Sequence, residues 1–447
     1  MPTLTTPLAS FNQSTTQNCN VVRPERYREL LDIVKKPVIA RGLGGSYGDA
    51  ALNIDGQVVL MERLNRVLEF DRINGVITAE AGISLADILA VIVPAGWFLP
   101  VTPGTQYVTL GGCIAADVHG KNHHRTGSFE QHVLWLDVVI HDGEIIRCSS
   151  TQNSDLFWAT IAGMGLTGII GSASIKLIPL ESAYMSVKHL ATNNLQQTII
   201  YLTDELQDDQ YSVAWVDTAS ENNKFGRSII MTAHHATLEE LAPEQKSKPL
   251  KLFKQQQITI PYNCPGWLLN KKVIQLYNNY YYRTQSHKEK FLSHYQDYFY
   301  PLDKIKHWPR LYGKRGFIQY QCVLPHNVAL ASIQTILDHL QKNNYSPFLT
   351  VLKQFGKASN TPLSFPMPGL TLAMDIPIKD NKLFSLLDEI DEIVVQNEGR
   401  IYLAKDARLT PARFQIMYPR YVEWLAIKKK WDPKNNFSSS LARRLGI

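Results

Sequence analysis

Alternating apolar and polar residues predict several short strands in the first 180 residues of the chain. Residues 67–79 read as two strands joined by an Asn-Gly turn, and residues 136–146 read as a second hairpin turned at Asp-Gly. Ser84, with Asp87 three positions later, predicts a helix cap ahead of apolar residues at helical spacing. Hairpins outnumber strand-helix-strand units, so the pattern indicates an α+β chain.

Beyond about residue 182 the pattern is less regular but still contains strand-like runs. Segments beginning at Trp215, Gln319 and Leu372 are expected to belong to a second sheet. Gln319 and Gln321 are separated by one residue, so in a strand both side chains project from the same face. They are therefore expected to reach one common space.

Three glycine-rich segments interrupt the predicted N-terminal strands, at residues 41–49, 103–105 and 109–129. Glycine lets backbone N–H groups approach a ligand, and successive N–H groups in tight turns form concavities that bind anions such as a cofactor pyrophosphate. None of the segments has the GxGxxG spacing of a dinucleotide-binding βαβ unit, which disfavours a Rossmann nicotinamide site. Three separate turns suggest a long ligand held by loops.

The third segment also contains the string His-Gly-Lys-Asn-His-His at residues 119–124. Imidazoles beside the positive charge of Lys121 suit a site that handles protons next to an anionic ligand. A solvated loop and a zinc site are the alternatives, but no cysteine pair or HExxH helix supports zinc, so no metal site is predicted. His123 and His124 are expected to be structural, because adjacent residues of an extended segment point to opposite faces.

Composition limits the class of protein without identifying it. A chain of 447 residues with 45% apolar content can bury the cores of two domains, or of one domain with a large insertion. The five cysteines are widely scattered and read as reduced thiols in a cytosolic setting. Residues 1–18 have no signal-peptide pattern, and no apolar run approaches a membrane span. A cytoplasmic or peripheral membrane location is therefore expected.

Positive charge is concentrated in residues 245–315, which carry 14 Lys or Arg against three acids, whereas the whole chain is only +6. Aromatic residues are interleaved with these cations. Such a stretch could bind nucleic acid, contact an anionic membrane, or form a solvated basic face over an ordinary aromatic core. No nucleic-acid-binding motif accompanies it, so no nucleic acid partner is predicted.

Together, the three glycine segments resemble the FAD domain of vanillyl-alcohol-oxidase-type flavoproteins. The 119–124 string combined with Ala-Lys-Asp at 404–406 is more specific and resembles the decaprenylphosphoryl-β-D-ribose 2′-oxidase family, the flavoprotein half of an epimerase. The resemblance runs nearly end to end. It covers residues 41–49, 103–105, 111–124, 156–160, 165–170, 362–366, 375–380, 404–408 and 442–445.

The resemblance implies a two-domain, PCMH-type FAD-binding fold of the α+β class. Residues 1–182 are expected to form the FAD-binding domain, and residues 183–399 a substrate domain built on a second, mainly antiparallel sheet. Residues 400–447 are expected to return to the FAD domain.

The resemblance also implies oxidation of a secondary alcohol on a sugar, with hydride passing to the flavin. The expected substrate is a polyprenylphosphoryl-β-D-ribose, whose 2′-hydroxyl becomes a 2′-keto group that a separate NAD(P)H-dependent short-chain reductase would reduce. A lipid-linked substrate favours the membrane interpretation of residues 245–315. The alternatives are a soluble sugar, alditol or aldonolactone as substrate, or a lipid-phosphate-binding scaffold without turnover.

Site residues follow from the same resemblance. Lys405 and His119 are the expected catalytic residues; a desolvated lysine has a lowered pKa suited to proton transfer, and either residue could be the base. The expected substrate residues are Lys121, Trp215, Tyr282, Gln319, Gln321 and Lys353. The expected cofactor residues are Arg41, Gly42, Leu43, Gly44, Gly45, Ser46, Tyr47, Gly48, Pro103, Gly104, Thr105, Thr109, Gly111, Gly112, Ala116, Asp117, His119, Ile170 and Tyr402.

The chain departs from the family pattern at several positions. The first glycine loop has no histidine for covalent attachment, so noncovalent FAD is expected. Gly45 stands where the family usually has arginine, Thr371 replaces an asparagine, and Ala373 replaces an active-site cysteine. Thiol capture by a mechanism-based inhibitor is therefore expected to fail here, although hydride transfer needs no thiol.

Overall fold

The N-terminal part of the chain contains two separate sheets. A computed structural model describes residues 3–205, 209–221, 224–253, 255–266 and 268–447. The first sheet has the order β1-β2-β4-β3, with β2, β4 and β3 parallel and β1 antiparallel to β2. Its elements are β1 (Leu4–Ala9), β2 (Thr16–Val22), α1 (Leu30–Ile33), β3 (Val38–Arg41) and β4 (Gln57–Leu60).

The second sheet is antiparallel throughout, with the order β5-β6-β10-β8-β9. Its strands are β5 (Val67–Asp71), β6 (Val76–Glu80), β8 (Val133–Val139), β9 (Ile145–Cys148) and β10 (Ile169–Lys176), and a small pair joins β7 (Trp97–Phe98) to β11 (Ile178–Pro179). The helices here are α2 (Leu85–Ile92), α3 (Leu110–Ala115), α4 (His123–Thr126) and α5 (Ser154–Thr160).

Both predicted hairpins are confirmed, as β5 with β6 and β8 with β9. The predicted cap is confirmed too, since the Ser84 side chain accepts a hydrogen bond from the backbone N–H of Asp87. The buried face of α2 consists of Leu85, Ile88, Leu89 and Ile92, which pack into the core beneath the second sheet.

A third, eight-stranded sheet forms most of the remaining chain. Its order is β16-β12-β14-β13-β19-β20-β18-β21, and every pairing within it is antiparallel. The strands are β12 (Tyr184–Thr192), β13 (Tyr211–Val216), β14 (Ser228–His235), β16 (Lys290–His294), β18 (Phe317–Leu324), β19 (Leu349–Phe355), β20 (Gly369–Pro377) and β21 (Arg400–Ile401). The strands expected from Trp215, Gln319 and Leu372 are therefore confirmed.

Helices and one minor strand pair surround this sheet. The helices are α6 (Leu195–Ile200), α7 (Pro243–Lys246), α8 (Lys271–Gln285), α9 (Tyr295–Phe299), α10 (His326–Lys342) and α11 (Lys382–Gln396), and β15 (Ile258–Thr259) runs parallel to β17 (Ile305–Lys306). Strand periodicity gives the sheet two different faces. On β20, Leu370, Leu372, Met374 and Ile376 are buried in the same core as α10 and α11, so the intervening residues face the other way.

The C-terminal segment packs against the first sheet. It contains α12 (Pro411–Met417), α13 (Tyr421–Trp431) and α14 (Ser440–Leu445). The backbone N–H of Val38 donates to the carbonyl oxygen of Asn436 at 2.7 Å, and the Trp424 indole donates to the carbonyl oxygen of Ala159 at 2.9 Å. The α+β class is confirmed, while the division at residues 182 and 399 stays a prediction. No helix in the described ranges is long and apolar enough to cross a membrane.

Arg444 joins this C-terminal segment to the first glycine segment. Its guanidinium donates to both carboxylate oxygens of Asp49, at 3.0 and 2.7 Å, and to Asp406 Oδ2 at 2.8 Å. Asp406 is thereby held beside Lys405, and its oxygen Oδ1 accepts from the backbone N–H groups of Arg408 and Leu409. The ion pair fixes the segment that carries the proposed catalytic lysine.

We expect Arg444→Ala to lower the free energy of unfolding by about 3 kcal/mol, because it leaves two largely buried carboxylates without their cation. Arg420→Ala is the matched control, since Arg420 pairs with Glu423 at the surface and its loss costs less than about 1 kcal/mol. Urea denaturation of both variants measures the difference. Equal effects of the two substitutions would contradict the role given to Arg444.

Candidate active site

A cavity of about 860 Å³ lies between the glycine segments and the open face of the eight-stranded sheet. Its wall contains every residue proposed for the site from the sequence except Arg41, Gly48, Asp117 and Tyr282. The fold therefore gathers the three glycine segments, the 119–121 string and the Lys405 segment around one space.

The glycines bring the loops of this wall into contact with one another. A Cβ on Gly42 would lie 2.2 Å from Thr109 Oγ1, and one on Gly45 would lie 2.9 Å from Val108 Cγ1. Gly44 has a φ of +72°, which favours glycine. At Gly104 a Cβ would meet no atom within 4 Å. Close loop packing, as well as approach to a ligand, therefore explains why these positions are glycine.

Three of the residues outside the wall support it from behind. Arg41 donates to the carbonyl oxygens of Ala9 and Ala51, and Gly48 allows close contact with the Asp406 carbonyl oxygen. Asp117 is fully buried and accepts hydrogen bonds from the Ser128 hydroxyl and the Glu130 backbone N–H. In the structure these three residues support the loops, and their contacts with the cofactor stay a prediction.

His119 lies at the inner end of the cavity, packed against the rings of Phe355, Phe365 and Tyr402. Burial, with the nearby Lys353, holds the pKa of His119 well below its usual range, so the imidazole is neutral. The Gln321 amide nitrogen lies 3.0 Å from His119 Nε2 and donates to it, which places the proton of the imidazole on Nδ1. That buried Nδ1 has no partner among the described residues, so it can donate to a bound group.

Lys121 also lines the cavity, and its ammonium donates to the carbonyl oxygen of Tyr298. The same ammonium lies 3.9 Å from the centre of the Tyr298 ring. Burial and the nearby Lys353 lower the pKa of Lys121 to about 7. Lys121 is therefore an enclosed cation that a bound anion would stabilise.

His123 and His124 lie in the short helix α4, so the extended segment expected from the sequence is wrong. Pro and Gly are absent from residues 121–126, and the N–H groups of Arg125 and Thr126 bond back to the carbonyl oxygen of Asn122. His123 Nδ1 accepts from the Gly356 backbone N–H at 3.1 Å. The His124 ring bonds the carbonyl oxygen of Asp209 at 2.9 Å, and neither residue lines the main cavity.

Lys405 projects into the cavity with its ammonium 3.5 Å from the centre of the Tyr47 ring. Burial lowers the pKa of Lys405 to about 7, with Asp375 opposing the shift and Lys353 adding to it. Asp375 is itself buried, which raises its pKa to about 7, although a hydrogen bond from the Gln319 amide at 2.6 Å favours its charged form. Both groups can therefore change protonation near neutral pH.

Strand register sets the neighbours of these groups on the sheet. Gln319 on β18 is opposite Asp375 on β20, and Gln321 is opposite Ala373. The two glutamines consequently face the cavity together, as their spacing predicted. Lys353 on β19 is opposite Thr371 on β20, and burial lowers the pKa of Lys353 to about 8. We call the cavity wall formed by Gln319, Gln321, Lys353 and Asp375, with His119, Lys121 and Lys405, the polar half.

Tyr282 does not line the cavity, and its role as a substrate residue stays a prediction. It lies on α8, where its hydroxyl donates to the carbonyl oxygen of Thr192 and its ring contacts Arg227. Tyr277 and Tyr281 are four positions apart on the same helix and line the cavity instead. The helical i, i+4 spacing was readable in the sequence, but only the packed structure shows which side of α8 faces inward.

The residues present fit a long anionic cofactor that carries a redox-active ring. The loop segments 42–47, 103–105 and 109–112 could hold its extended part, and Gly104 leaves open space there. At the inner end, the unpartnered Nδ1 of His119 and the cations of Lys121 and Lys405 offer donors and positive charge.

Comparison with known proteins agrees with this geometry. Residues 20–149 match the FAD binding domain family, and residues 320–445 match the D-arabinono-1,4-lactone oxidase family. The chain is 40% identical to decaprenylphosphoryl-β-D-ribose oxidase of Mycolicibacterium smegmatis, over 92% of this chain and 89% of that protein.

Two other relatives are more distant. An uncharacterised protein of Streptomyces coelicolor is 30% identical, over 82% of this chain and all of that protein. L-Gulonolactone oxidase of Mus musculus is 25% identical, over 94% of this chain and 92% of that protein. FAD is the cofactor that these matches indicate for the cavity.

We expect Lys405→Met to retain FAD. Anaerobic reduction of the flavin by the sugar substrate should slow by about 10²- to 10⁴-fold, the range for loss of a general base. In the wild type the reduction rate should rise with pH through about 7, as Lys405 loses its proton. The variant should lose this rise, and rapid-mixing absorbance measurements across pH test it.

The control for this variant is Lys188→Met, because Lys188 is exposed on β12 and does not line the cavity. It should keep the wild-type rate and pH profile. If Lys405→Met kept both as well, Lys405 would have no part in proton transfer.

Proposed function

The chain belongs to the FAD-dependent oxidoreductase family of decaprenylphosphoryl-β-D-ribose oxidase, and from this premise we propose that it oxidises the 2′-hydroxyl of a polyprenylphosphoryl-β-D-ribose. The product is the 2′-keto sugar. The hydrogen on that carbon leaves with the two electrons of its C–H bond as hydride, and the hydroxyl proton leaves to a base. Bound FAD supplies the hydride acceptor.

One observation carries the proposal: the polar half of the cavity lies beside the three loop segments that match the FAD binding domain. A sugar there meets two glutamine amides on one strand face, an enclosed carboxyl group and three lysines. Side chains of this kind bind hydroxyls and a phosphate diester at once.

We assign the base to Lys405 rather than His119. Neutral Lys405 can accept the hydroxyl proton near pH 7 because enclosure lowers its pKa that far. His119 Nε2 is already engaged by Gln321, and the lowered pKa of the imidazole makes it a weak base. His119 acts as a hydrogen-bond donor through Nδ1, and Lys353 balances the charge of the substrate phosphate.

FAD is held noncovalently in this proposal. The first glycine loop offers no histidine or cysteine. Cys113 lines the cavity, but burial raises the pKa of its thiol far above the usual range. A protonated thiol is a poor nucleophile, so the cofactor should be released intact on acid precipitation.

A soluble sugar or aldonolactone is the second candidate substrate. The match to the D-arabinono-1,4-lactone oxidase family covers residues 320–445, which include Gln321, Lys353, Asp375 and Lys405. The polar half could therefore also bind a small polyol without a lipid.

The 2′-keto product requires a second hydride to become an epimerised sugar. We propose that an NAD(P)H-dependent short-chain reductase supplies it, since the oxidation proposed above is only half of an epimerisation. The reason for expecting such a partner is that the Mycolicibacterium smegmatis relative is named for a decaprenylphosphoryl ribose substrate.

We propose peripheral membrane contact through residues 245–315, with α8 at its centre; positions 254 and 267 lie outside the described residues. Leu276 and Tyr280 on α8 are 70% and 68% exposed. Lys272, Arg283 and Lys288 are exposed near them, whereas Lys271, Lys290 and Lys304 form ion pairs within the protein. Exposed apolar groups among cations suit an anionic lipid surface.

We expect anaerobic addition of a polyprenylphosphoryl ribose to bleach the flavin, while free pentoses and aldonolactones leave it oxidised. Absorbance of the bound flavin near its visible maximum measures this directly. Bleaching by a lactone alone would select the second candidate substrate, and a purified protein unable to bind FAD would exclude both.

The membrane contact predicts that vesicles containing anionic lipid retain the protein at low salt. The double variant Leu276→Ser, Tyr280→Ser should bind roughly tenfold more weakly, because it removes apolar surface from the interface. Ile73→Ser is the control, since Ile73 is 90% exposed in the β5–β6 turn. Vesicle sedimentation at two salt concentrations gives the affinities, and undiminished binding of the double variant would remove α8 from the interface.

A further inference from the structure

The cavity continues beyond the polar half along the same face of the eight-stranded sheet. His189 on β12, Met231 on β14 and Val213 on β13 are aligned across the three strands. All three line the cavity, together with Val187 and Trp215. We call the wall formed by these five residues the apolar half.

The two halves are continuous because one row of residues joins them. Trp215 on β13 is opposite Val351 on β19, which is opposite Ala373 on β20. Ala373 in turn is opposite Gln321 in the polar half. A ligand can therefore contact both halves along a single face of the sheet.

Helix α8 and strand β16 flank the apolar half with aromatic rings. The Tyr281 ring lies 4.7 Å from the Trp215 ring, and the Tyr277 ring stacks 6.1 Å from Tyr281. Phe291 on β16 is opposite Val187 on β12 and also lines the cavity. These contacts place an aromatic wall beside the aliphatic strand residues.

Among the described residues, none of the cavity-lining side chains on β12, β13 and β14 carries a charge at neutral pH. The one titratable group is His189, and burial lowers its pKa to about 4. Lys288, which is exposed and also lines the cavity, is a charged group near His189. Against the strand residues themselves, a sugar or phosphate would lose hydration, whereas a hydrocarbon chain would gain apolar contact.

The apolar half also leads outward to the proposed membrane surface. Tyr277 lines the cavity and is nevertheless 44% exposed, so it stands at the cavity mouth. Leu276, its neighbour on α8, belongs to the exposed apolar surface. An extended chain could thus run from the sheet face, past Tyr277, to the outside of α8.

We propose that the apolar half binds the first isoprene units of the lipid chain, next to the phosphate held in the polar half. The inference rests on the proposed function, because it requires an isoprenoid attached to the sugar phosphate. It assigns chain recognition to β12, β13, β14 and α8, separately from the residues that handle the proton.

The test uses the FAD-loaded protein with dimethylallyl- and farnesylphosphoryl ribose as substrates. Met231→Trp fills the apolar half with a larger side chain. Its dissociation constant for the farnesyl substrate, taken from the concentration dependence of flavin reduction, should rise at least about tenfold. The constant for the shorter dimethylallyl substrate should change less than about twofold.

Two further variants control the experiment. Leu238→Trp adds the same ring at an exposed position outside the cavity and should alter neither constant. Met231→Gln keeps the side-chain length but introduces an amide, and it should weaken farnesyl binding several-fold. Flavin absorbance and melting temperature verify that each variant is folded and loaded.

Binding of farnesyl phosphate, measured by calorimetry, distinguishes failure of this inference from failure of the proposed function. Tight binding to the wild type that weakens in Met231→Trp supports the chain site even if no ribose derivative reduces the flavin. Equal affinity of the folded wild type and Met231→Trp for farnesyl phosphate, or equal effects on both ribose substrates, would overturn it.

Discussion

Three lysines enclosed around one cavity are the constraint on which the rest of the site depends. Lys121, Lys353 and Lys405 all have pKa values lowered by burial, and Asp375 is the acid that opposes the shift at Lys405. Enclosed cations are costly unless negative charge accompanies them. Bound FAD and a phosphate-bearing substrate would supply this negative charge. The charges of the cavity are therefore balanced only when both ligands are bound.

The eight-stranded sheet determines where the polar residues of the cavity lie. Helices α10 and α11 cover one face, and this leaves the alternate residues of β18, β19 and β20 to form the polar half. The C-terminal segment then closes the inner end with Lys405, which Arg444 holds in place through Asp406 and Asp49. The proposed proton acceptor therefore depends on an ion pair that lies outside the cavity wall.

Local sequence pattern was sufficient for the elements and for much of the site. The Asn-Gly and Asp-Gly turns, the Ser84 cap and the period-two spacing of Gln319 and Gln321 all depend on neighbouring residues, and the structure confirms each.

What the sequence could not supply was long-range packing. Asp117 resembles a site acid but bonds Ser128 and Glu130. Tyr282 differs from Tyr281 only in the side of α8 that it occupies. Gly42, Gly45 and Gly48 of the first segment contact residues more than 60 positions away, such as Thr109 beside Gly42.

The central claim is that the enclosed lysines stabilise negative charge on the cofactor and substrate. The most direct test is the reduction potential of the bound flavin in the wild type and in Lys405→Met, measured by equilibration with a redox dye below pH 7, where Lys405 carries its proton. Removing the cation should make the potential more negative by roughly 30 mV or more, which corresponds to about 1.4 kcal/mol for a two-electron couple. Equal potentials in the two proteins would contradict the claim.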